Sequence, residues 1–196
     1  MTRACGCGTC TAVQMARALN FAMFYLGWFA CVGGAARGQL WLGPALTCLL
    51  VGVHLALSPD RIREFGLILI VGVLGFALDT LQASVGLYAF ERTSIAPWLC
   101  PPWMVALWML FATTLNSSMA WLAGRYRLAA VLGAACGPVS YLAGARLGAI
   151  ELSGNVLGSL AGIGAAWALA MPTLLVLREA LSRPGAMRRP HRTARA

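Results

Sequence analysis

The chain has 196 residues, of which 60% are hydrophobic and 11% are charged, and its formal net charge at pH 7 is +9. A soluble domain of this size carries about 25% charged residues, so the composition excludes one and predicts a multi-pass helical membrane protein. Every basic residue is Arg, and the absence of Lys excludes lysine Schiff-base chemistry and a lysine-containing phosphate loop.

Six apolar stretches follow one another, each long enough to cross about 30 Å of hydrocarbon as a helix. We predict an all-α membrane protein with six transmembrane helices at 18–36, 39–58, 65–90, 103–122, 128–150 and 154–177. The chain then divides into a short cytoplasmic N-terminal segment (1–17), a six-helix transmembrane domain (18–177) and a disordered basic cytoplasmic tail (178–196). The first span could alternatively be a signal peptide, but its long apolar run favours a retained helix.

The arginines test this topology independently, because positive charge near span ends stays in the cytoplasm. With six spans, one face receives only three of the fifteen arginines, namely Arg37, Arg92 and Arg146. The opposite face receives the other twelve, including those of the tail. Both termini are therefore predicted to be cytoplasmic, with the tail close to anionic lipid headgroups. No nucleic acid is expected as a partner, because the tail lacks interleaved aromatic residues.

Tryptophans and small residues predict how the spans sit and touch. Trp98 and Trp103, set among prolines, predict an interfacial belt where the third loop meets the outer leaflet. Glycine stripes on the third, fifth and sixth spans predict that these helices form the tight core. Pro138 lies near the middle of the fifth span, where it predicts either a plain kink or a break that marks a binding site.

Four stretches of the chain together resemble an uncharacterised family of small bacterial inner-membrane proteins, classed as a domain of unknown function. They are "NFAMFYLGWFACV", "GFALDTLQASVGL", "APW...PPWMVALWMLFATTLNSSMAWL" and "GPVSYLAGARLGA". The resemblance extends from Asn20 to about Ile150. It implies a location in the bacterial inner membrane. Genes of family members occur near genes for fatty-acid-modifying methyltransferases and flavin-type oxidases, and the resemblance therefore implies a link to lipid metabolism. The resemblance supplies no catalytic residues.

The stretch "LIVGVLGFALDTLQASVGLY" places Asp79 inside the third span, in its outer half. A carboxylate inside the membrane is costly and by default marks a functional site. Depth suggests Arg146 as its partner, through a long side chain that reaches inward. Gln82 and Tyr141 would complete the hydrogen bonding. Four roles stay open for Asp79, namely ligand binding, proton transfer, catalysis and a purely structural link between helices.

A second polar layer is predicted in the inner half, where His54, Asn116, Ser117 and Asn20 fall at similar depth. Imidazole is the side-chain group that most often carries protons near neutral pH, so a proton relay is one interpretation of His54 and an imidazole bonded to Asn or Ser is the other. The hydroxyls of "TTLNSS" are expected to bond back to helical carbonyls.

No metal or cofactor is predicted. The pattern C-x-C-x-x-C formed by Cys5, Cys7 and Cys10 lacks a fourth ligand. Serine hydrolysis lacks its motif, because no "GxSxG" occurs and His54 is expected on the opposite side of the membrane from Asp79. No catalytic residue is therefore assigned, and the enzyme question stays open with the balance against it.

The leading hypothesis is an integral inner-membrane protein that binds, and in a further step moves, a lipid-like or small amphiphilic molecule in an intrahelical cavity. The predicted cavity lies among helices three to five, and the ligand-binding candidates are Asp79, Gln82, Arg146, Tyr141, Asn116 and His54. One alternative is a membrane-embedded lipid-modifying enzyme or its accessory subunit, and another is a structural scaffold. Membrane lipids are the expected partners, with a second copy of the chain or enzymes of lipid metabolism as further candidates.

Overall fold

The computed structural model describes residues 7–90 and 95–182. Within that part the chain is almost entirely helical, which confirms the all-α class. Its α-helices are α1 (Cys7–Ala36), α2 (Leu42–Leu57), α3 (Arg61–Ser84), α4 (Pro102–Leu115), α5 (Tyr126–Leu147) and α6 (Val156–Ser182). Two short strands, β1 (Tyr88–Ala89) and β2 (Glu151–Leu152), pair antiparallel, and a turn of 3₁₀-helix covers Ala120–Leu122.

Among the residues that the structure describes, four helices are long and apolar enough to cross a membrane: α1 from Val13, α3, α5 and α6. Their lengths and hydropathies are those of a membrane protein. The other two are shorter, with 16 residues in α2 and 14 in α4. At about 1.5 Å per residue they measure roughly 24 and 21 Å, less than the hydrocarbon thickness of about 30 Å.

Several predicted boundaries differ from the observed ones. The first helix begins at least as early as Cys7, inside the predicted N-terminal segment 1–17, and α6 extends five residues past the predicted end of the domain at 177. The third span ends at Ser84, so Tyr88 lies in β1. The fourth helix stops at Leu115 rather than at 122. At this end Thr113 and Thr114 donate to the carbonyls of Leu110 and Phe111, as predicted for the hydroxyls of "TTLNSS".

The bundle has two distinguishable ends. At one, called the sheet end, β1 and β2 join the segment after α3 to the segment after α5. At the other, called the tail end, α6 finishes at Ser182 beside the link between α4 and α5. Successive helices run between these ends in alternating directions, so side chains from different helices meet at each end.

Glycines let the large aromatic side chains of neighbouring helices enter the bundle. A Cβ at Gly75 of α3 would overlap the ring of Trp108, and one at Gly137 of α5 would overlap Trp167. Between these glycines the two indoles stack, with ring centroids 4.7 Å apart and planes 9° apart. The glycine stripes of α3 and α5 therefore pack against protein, as expected of small residues in membrane helices. In the stripe of the sixth span, by contrast, Gly154 and Gly158 are exposed.

The predicted core of helices three, five and six is wrong in part. The most extensive interface is between α5 and α6, but α3 packs chiefly against α4 and less against α6. The reason is that Gly72 and Gly75 receive Met109 and Trp108 of α4. Trp103 is also not interfacial, since it is 2% exposed in the core, whereas Trp98 is exposed. Helix α5 runs continuously through Pro138.

Candidate functional site

A buried carboxylate near the sheet end gathers donors from four elements. Trp108 of α4 donates from Nε1 to Oδ2 of Asp79 at 2.6 Å, and Tyr88 of β1 donates to Oδ1 at 2.7 Å. Tyr141 of α5 also donates to Oδ1, and Gln82 reaches the same atom at 3.5 Å. Asp79 itself is 0% exposed. We call these five residues the Asp79 cluster.

Two of the predicted partners of Asp79 are confirmed and one is wrong. Gln82 and Tyr141 contact the carboxylate, but Arg146 is exposed in the last turn of α5 and forms no ion pair with it. Five residues separate Tyr141 from Arg146, which corresponds to about 140° of rotation around a helix. Because Tyr141 faces Asp79, Arg146 must point away from it.

Tyr88 and Trp108 are the partners that the sequence did not reveal. Burial raises the pKa of the Tyr88 phenol well above its ordinary range, so this group stays a neutral donor. Trp108 sits on a helix with apolar and aromatic residues all round, and nothing in its spacing distinguishes it from a lipid-facing tryptophan. Its hydrogen bond to Asp79 and its close approach to Gly75 show that it turns inward.

The Asp79 cluster satisfies its carboxylate without a cation. Within the described residues its hydrogen bonds come from neutral side chains, and both oxygens already accept from the protein. Burying a charge is tolerable only when hydrogen bonds replace its lost water. The arrangement ties α3, α4, α5 and β1 together, and the role of Asp79 and Gln82 in ligand binding stays a prediction.

A second cluster joins four helices near the tail end. His54 of α2 contacts Glu64 of α3, with 2.9 Å between Nε2 and Oε1. Asn116, which caps the end of α4, donates to Oε2 of Glu64 at 2.7 Å. Its own amide oxygen accepts from Nε of Arg178 of α6 at 2.5 Å. We call these four residues the Glu64 cluster, and it brings together His54 and Asn116 as their predicted depths suggested.

Glu64 was missed because its charge placed it in the link "SPDRIRE". The signal that could have found it is Asp60, which caps α3 by accepting from the backbone N–H of Arg63. A helix that starts at Arg61 places Glu64 in its first turn, where a carboxylate is favoured by the helix dipole. Asn20 lies beside this cluster but bonds elsewhere: it donates to Thr113 and accepts from Ser118.

Two of the cavities bounded by described residues are relevant here, and both are partly open to the surface. The larger, the polar cavity, has a volume of about 360 Å³ and lies at the tail end beside the Glu64 cluster. The smaller, the aromatic cavity, has about 70 Å³. It lies toward the sheet end, and its walls come mainly from α1, α4, α5 and α6 rather than from helices three to five as predicted. Tyr141 and Trp108 form part of its wall, while Asp79 lies behind them.

The polar cavity has a mixed lining. Its polar lining residues are His54, Glu64, Asn116, Asn20 and Ser117, together with Ser58, Asp60, Arg63 and Ser182. Its apolar lining residues include Ala16, Leu19, Met23 and Leu57. Because Nε2 of His54 contacts Glu64, the other ring nitrogen is left as a hydrogen-bonding group. The cavity can therefore hold a molecule that is polar at one end and apolar along its length.

Metal ligation finds no support in the described part of the chain. No group of three His, Cys, Asp or Glu side chains there could hold an ion. The predicted C-x-C-x-x-C pattern falls outside this test, because Cys5 and the side chains of Cys7 and Cys10 are not among those described.

A family model for proteins of unknown function, DUF2878, matches residues 17–173. The chain belongs to the DUF2878 family. This confirms the resemblance found in the sequence, and the match includes both clusters except for Arg178 of the Glu64 cluster. No curated protein and no solved structure is significantly similar to this DUF2878 protein.

Proposed function

We propose that this DUF2878 protein is an integral protein of the bacterial inner membrane that binds a lipid-like amphiphile in the polar cavity. The observation that carries the proposal is the mixed polar and apolar lining of that cavity. A polar group would meet His54, Glu64 and Asn116, while an apolar chain would lie against Leu19 and Met23. The volume of about 360 Å³ falls in the range of small-molecule sites.

The proposed topology has six crossings with both termini in the cytoplasm. It is supported by the uneven distribution of arginines between the faces and by the antiparallel order of the six helices. The short helices α2 and α4 would then cross with their ends at the depth of the interface. Reporter fusions at the two termini should both report the cytoplasm, and opposite locations would overturn this topology.

Cavity filling tests the binding proposal directly. Ser117 lies in the wall of the polar cavity, so the substitution Ser117→Phe fills part of the space. Ser84 is exposed at the end of α3 and away from the cavities, so Ser84→Phe is the matched control. Lipid mass spectrometry of the purified proteins should show several-fold less co-purified amphiphile for Ser117→Phe alone. Equal recovery from both variants would refute binding in this cavity.

A membrane-embedded lipid-modifying enzyme is the second candidate, and the contact between His54 and Glu64 favours it. A carboxylate that orients an imidazole facing a cavity is the arrangement of a general base. If the pair is catalytic, His54→Gln should leave the amphiphile bound and chemically unchanged during incubation with the membrane extract. If the wild-type protein also leaves the bound amphiphile chemically unchanged after this incubation, the enzyme hypothesis is refuted.

A further inference from the structure

One ridge of α1 lines both cavities. Ala16, Asn20, Phe24, Trp28 and Val32 follow one another four residues apart, so each lies about one turn beyond the last on a ridge that winds about 40° around the helix at each step. The first two belong to the wall of the polar cavity and the last three to the wall of the aromatic cavity. The linings of the two cavities therefore adjoin on α1 between Asn20 and Phe24.

Helix α4 lines both cavities in the same order. Asn116 belongs to the polar cavity, while Phe111, Trp108 and Met104 belong to the aromatic cavity. Twelve residues separate Met104 from Asn116, a rise of about 18 Å along the helix. An extended chain of that length would reach from the polar wall to the far side of the aromatic cavity.

A pair of phenylalanines and a hydrogen-bonded side chain lie where the linings of the two cavities meet on α1 and α4. The rings of Phe24 and Phe111 meet edge to face, with centroids 6.0 Å apart, and Asn20 bonds to Thr113 beside them. The rings carry no polar atom, so turning them aside breaks no hydrogen bond. An apolar chain can replace their mutual contact with contacts of the same kind.

The aromatic cavity is too small for more than the end of one chain. Its volume of about 70 Å³ is roughly half that of an engineered cavity of about 150 Å³ that holds one benzene molecule. Its walls are mainly aromatic, with Trp28, Trp103, Trp108 and Trp167 among them. A branched or two-chain tail would not fit.

The charged groups of the polar cavity are already paired with one another. Asp60 and Arg63 lie 3.1 Å apart, and His54 and Glu64 lie 2.9 Å apart. What the described wall leaves for a ligand includes the second ring nitrogen of His54 and the hydroxyls of Ser58 and Ser117. These groups suit a head that exchanges hydrogen bonds and carries no net charge.

We propose that the two cavities are the two ends of one binding site for a single-chain amphiphile with an uncharged, hydroxyl-bearing head. The head occupies the polar cavity, the chain passes between Phe24 and Phe111, and the methyl end lies in the aromatic cavity. The aromatic cavity thereby sets the preferred chain length. This inference rests on the proposed function and names its ligand class.

The tryptophans of the aromatic cavity report where the chain ends. Trp41, Trp98 and Trp121 are exposed, so replacing these three by Phe leaves the four cavity tryptophans as the fluorescent groups. Bromine quenches indole fluorescence on contact. Monomyristin brominated at its methyl end should quench most of the emission, whereas monomyristin brominated beside the ester should quench little. Equal quenching by the two, with both bound, would overturn the inference.

A second variant tests chain length without touching the tryptophans. Gly144 lies in the wall of the aromatic cavity, and a Cβ there meets only Ile150, at 3.9 Å. Gly144→Leu should therefore shift the preferred ligand to a shorter chain within the series monostearin, monopalmitin, monomyristin and monolaurin. Gly52 of α2 has open space around its Cβ and is exposed, so Gly52→Leu is the matched control. An unchanged preference in Gly144→Leu refutes the inference.

Two comparisons test the ligand class. Ionised myristic acid should bind several-fold more weakly than monomyristin, and tighter binding of the acid would refute the uncharged head. Phosphatidylglycerol brominated at its chain ends should quench the cavity tryptophans far less than monomyristin does, and equal quenching would refute the single chain. Failure of the wild-type protein to bind any amphiphile would instead overturn the proposed function itself.

Discussion

Replacing Asp79 by Asn and by Leu separates a hydrogen-bonding role from a charge-dependent one. The indole of Trp108 can only donate, whereas the phenols of Tyr88 and Tyr141 can also accept. An Asn side chain can therefore direct its oxygen to Trp108 and its amino group to the two phenols. A Leu side chain of similar size can do neither, so all three donors lose their side-chain acceptor and Tyr88 keeps only the backbone carbonyl of residue 79.

The expected magnitudes follow from the number of hydrogen bonds lost. Hydrogen bonds between membrane helices contribute on average about 0.6 and at most about 1.7 kcal/mol each. Three of them make Asp79→Leu destabilising by about 2–5 kcal/mol in the free energy of unfolding. Asp79→Asn keeps an acceptor for Trp108 and offers its amino group to the phenols, so it should cost less than Asp79→Leu.

The measurement is unfolding of the purified protein in mixed detergent micelles, followed by circular dichroism. Ser84→Leu is the control, because Ser84 is exposed on the same helix, and its unfolding free energy should stay within about 0.5 kcal/mol of the wild type. The reasoning is refuted if Asn and Leu at position 79 have the same effect. It is also refuted if the Leu variant is more stable than the wild type, because the buried charge would then cost more than its bonds contribute.

Two further substitutions test the same packing. Tyr88→Phe removes one donor to Asp79 and should lower the unfolding free energy by about 1 kcal/mol. Tyr25→Phe, at an exposed tyrosine of α1, is the control and should leave that free energy unchanged. Equal effects of the two substitutions would contradict a stabilising hydrogen bond from Tyr88. Gly137→Ala should displace Trp167 from its stack on Trp108 and so change the near-ultraviolet circular dichroism. Gly52→Ala has open space at its Cβ and should leave the spectrum unchanged. Identical spectra for the two variants would contradict the stacking of Trp108 on Trp167.

Residues that interact within one turn of their own helix were predictable. Gln82 lies three residues after Asp79, so both occupy one side of α3 whatever surrounds it. The same holds for the hydroxyls of Thr113 and Thr114, which bond to carbonyls three residues earlier. Such contacts depend on helical geometry alone, and a sequence contains that information.

Contacts between helices were predictable only where few side chains could serve as partners. Tyr141 was found because few polar groups lie at the depth of Asp79, but Arg146 was wrong because depth does not give rotation about the helix axis. Glu64 was assigned to the link before α3, because hydropathy places a carboxylate at the start of a helix in a loop. Trp108 gave no signal, because a helix that is apolar all round does not show which side meets protein.

The sequence by itself determined the all-helical class, the apolar helices of membrane length, the family and the presence of two polar layers. These depend on composition, length and helical periodicity, which are local properties of the chain. The tertiary structure alone decided which side chains satisfy Asp79, that Glu64 links His54 to Asn116, and where the cavities lie. Those features depend on how neighbouring helices rotate and pack, and in lipid the packing is set by the fit of surfaces such as Gly75 against Trp108.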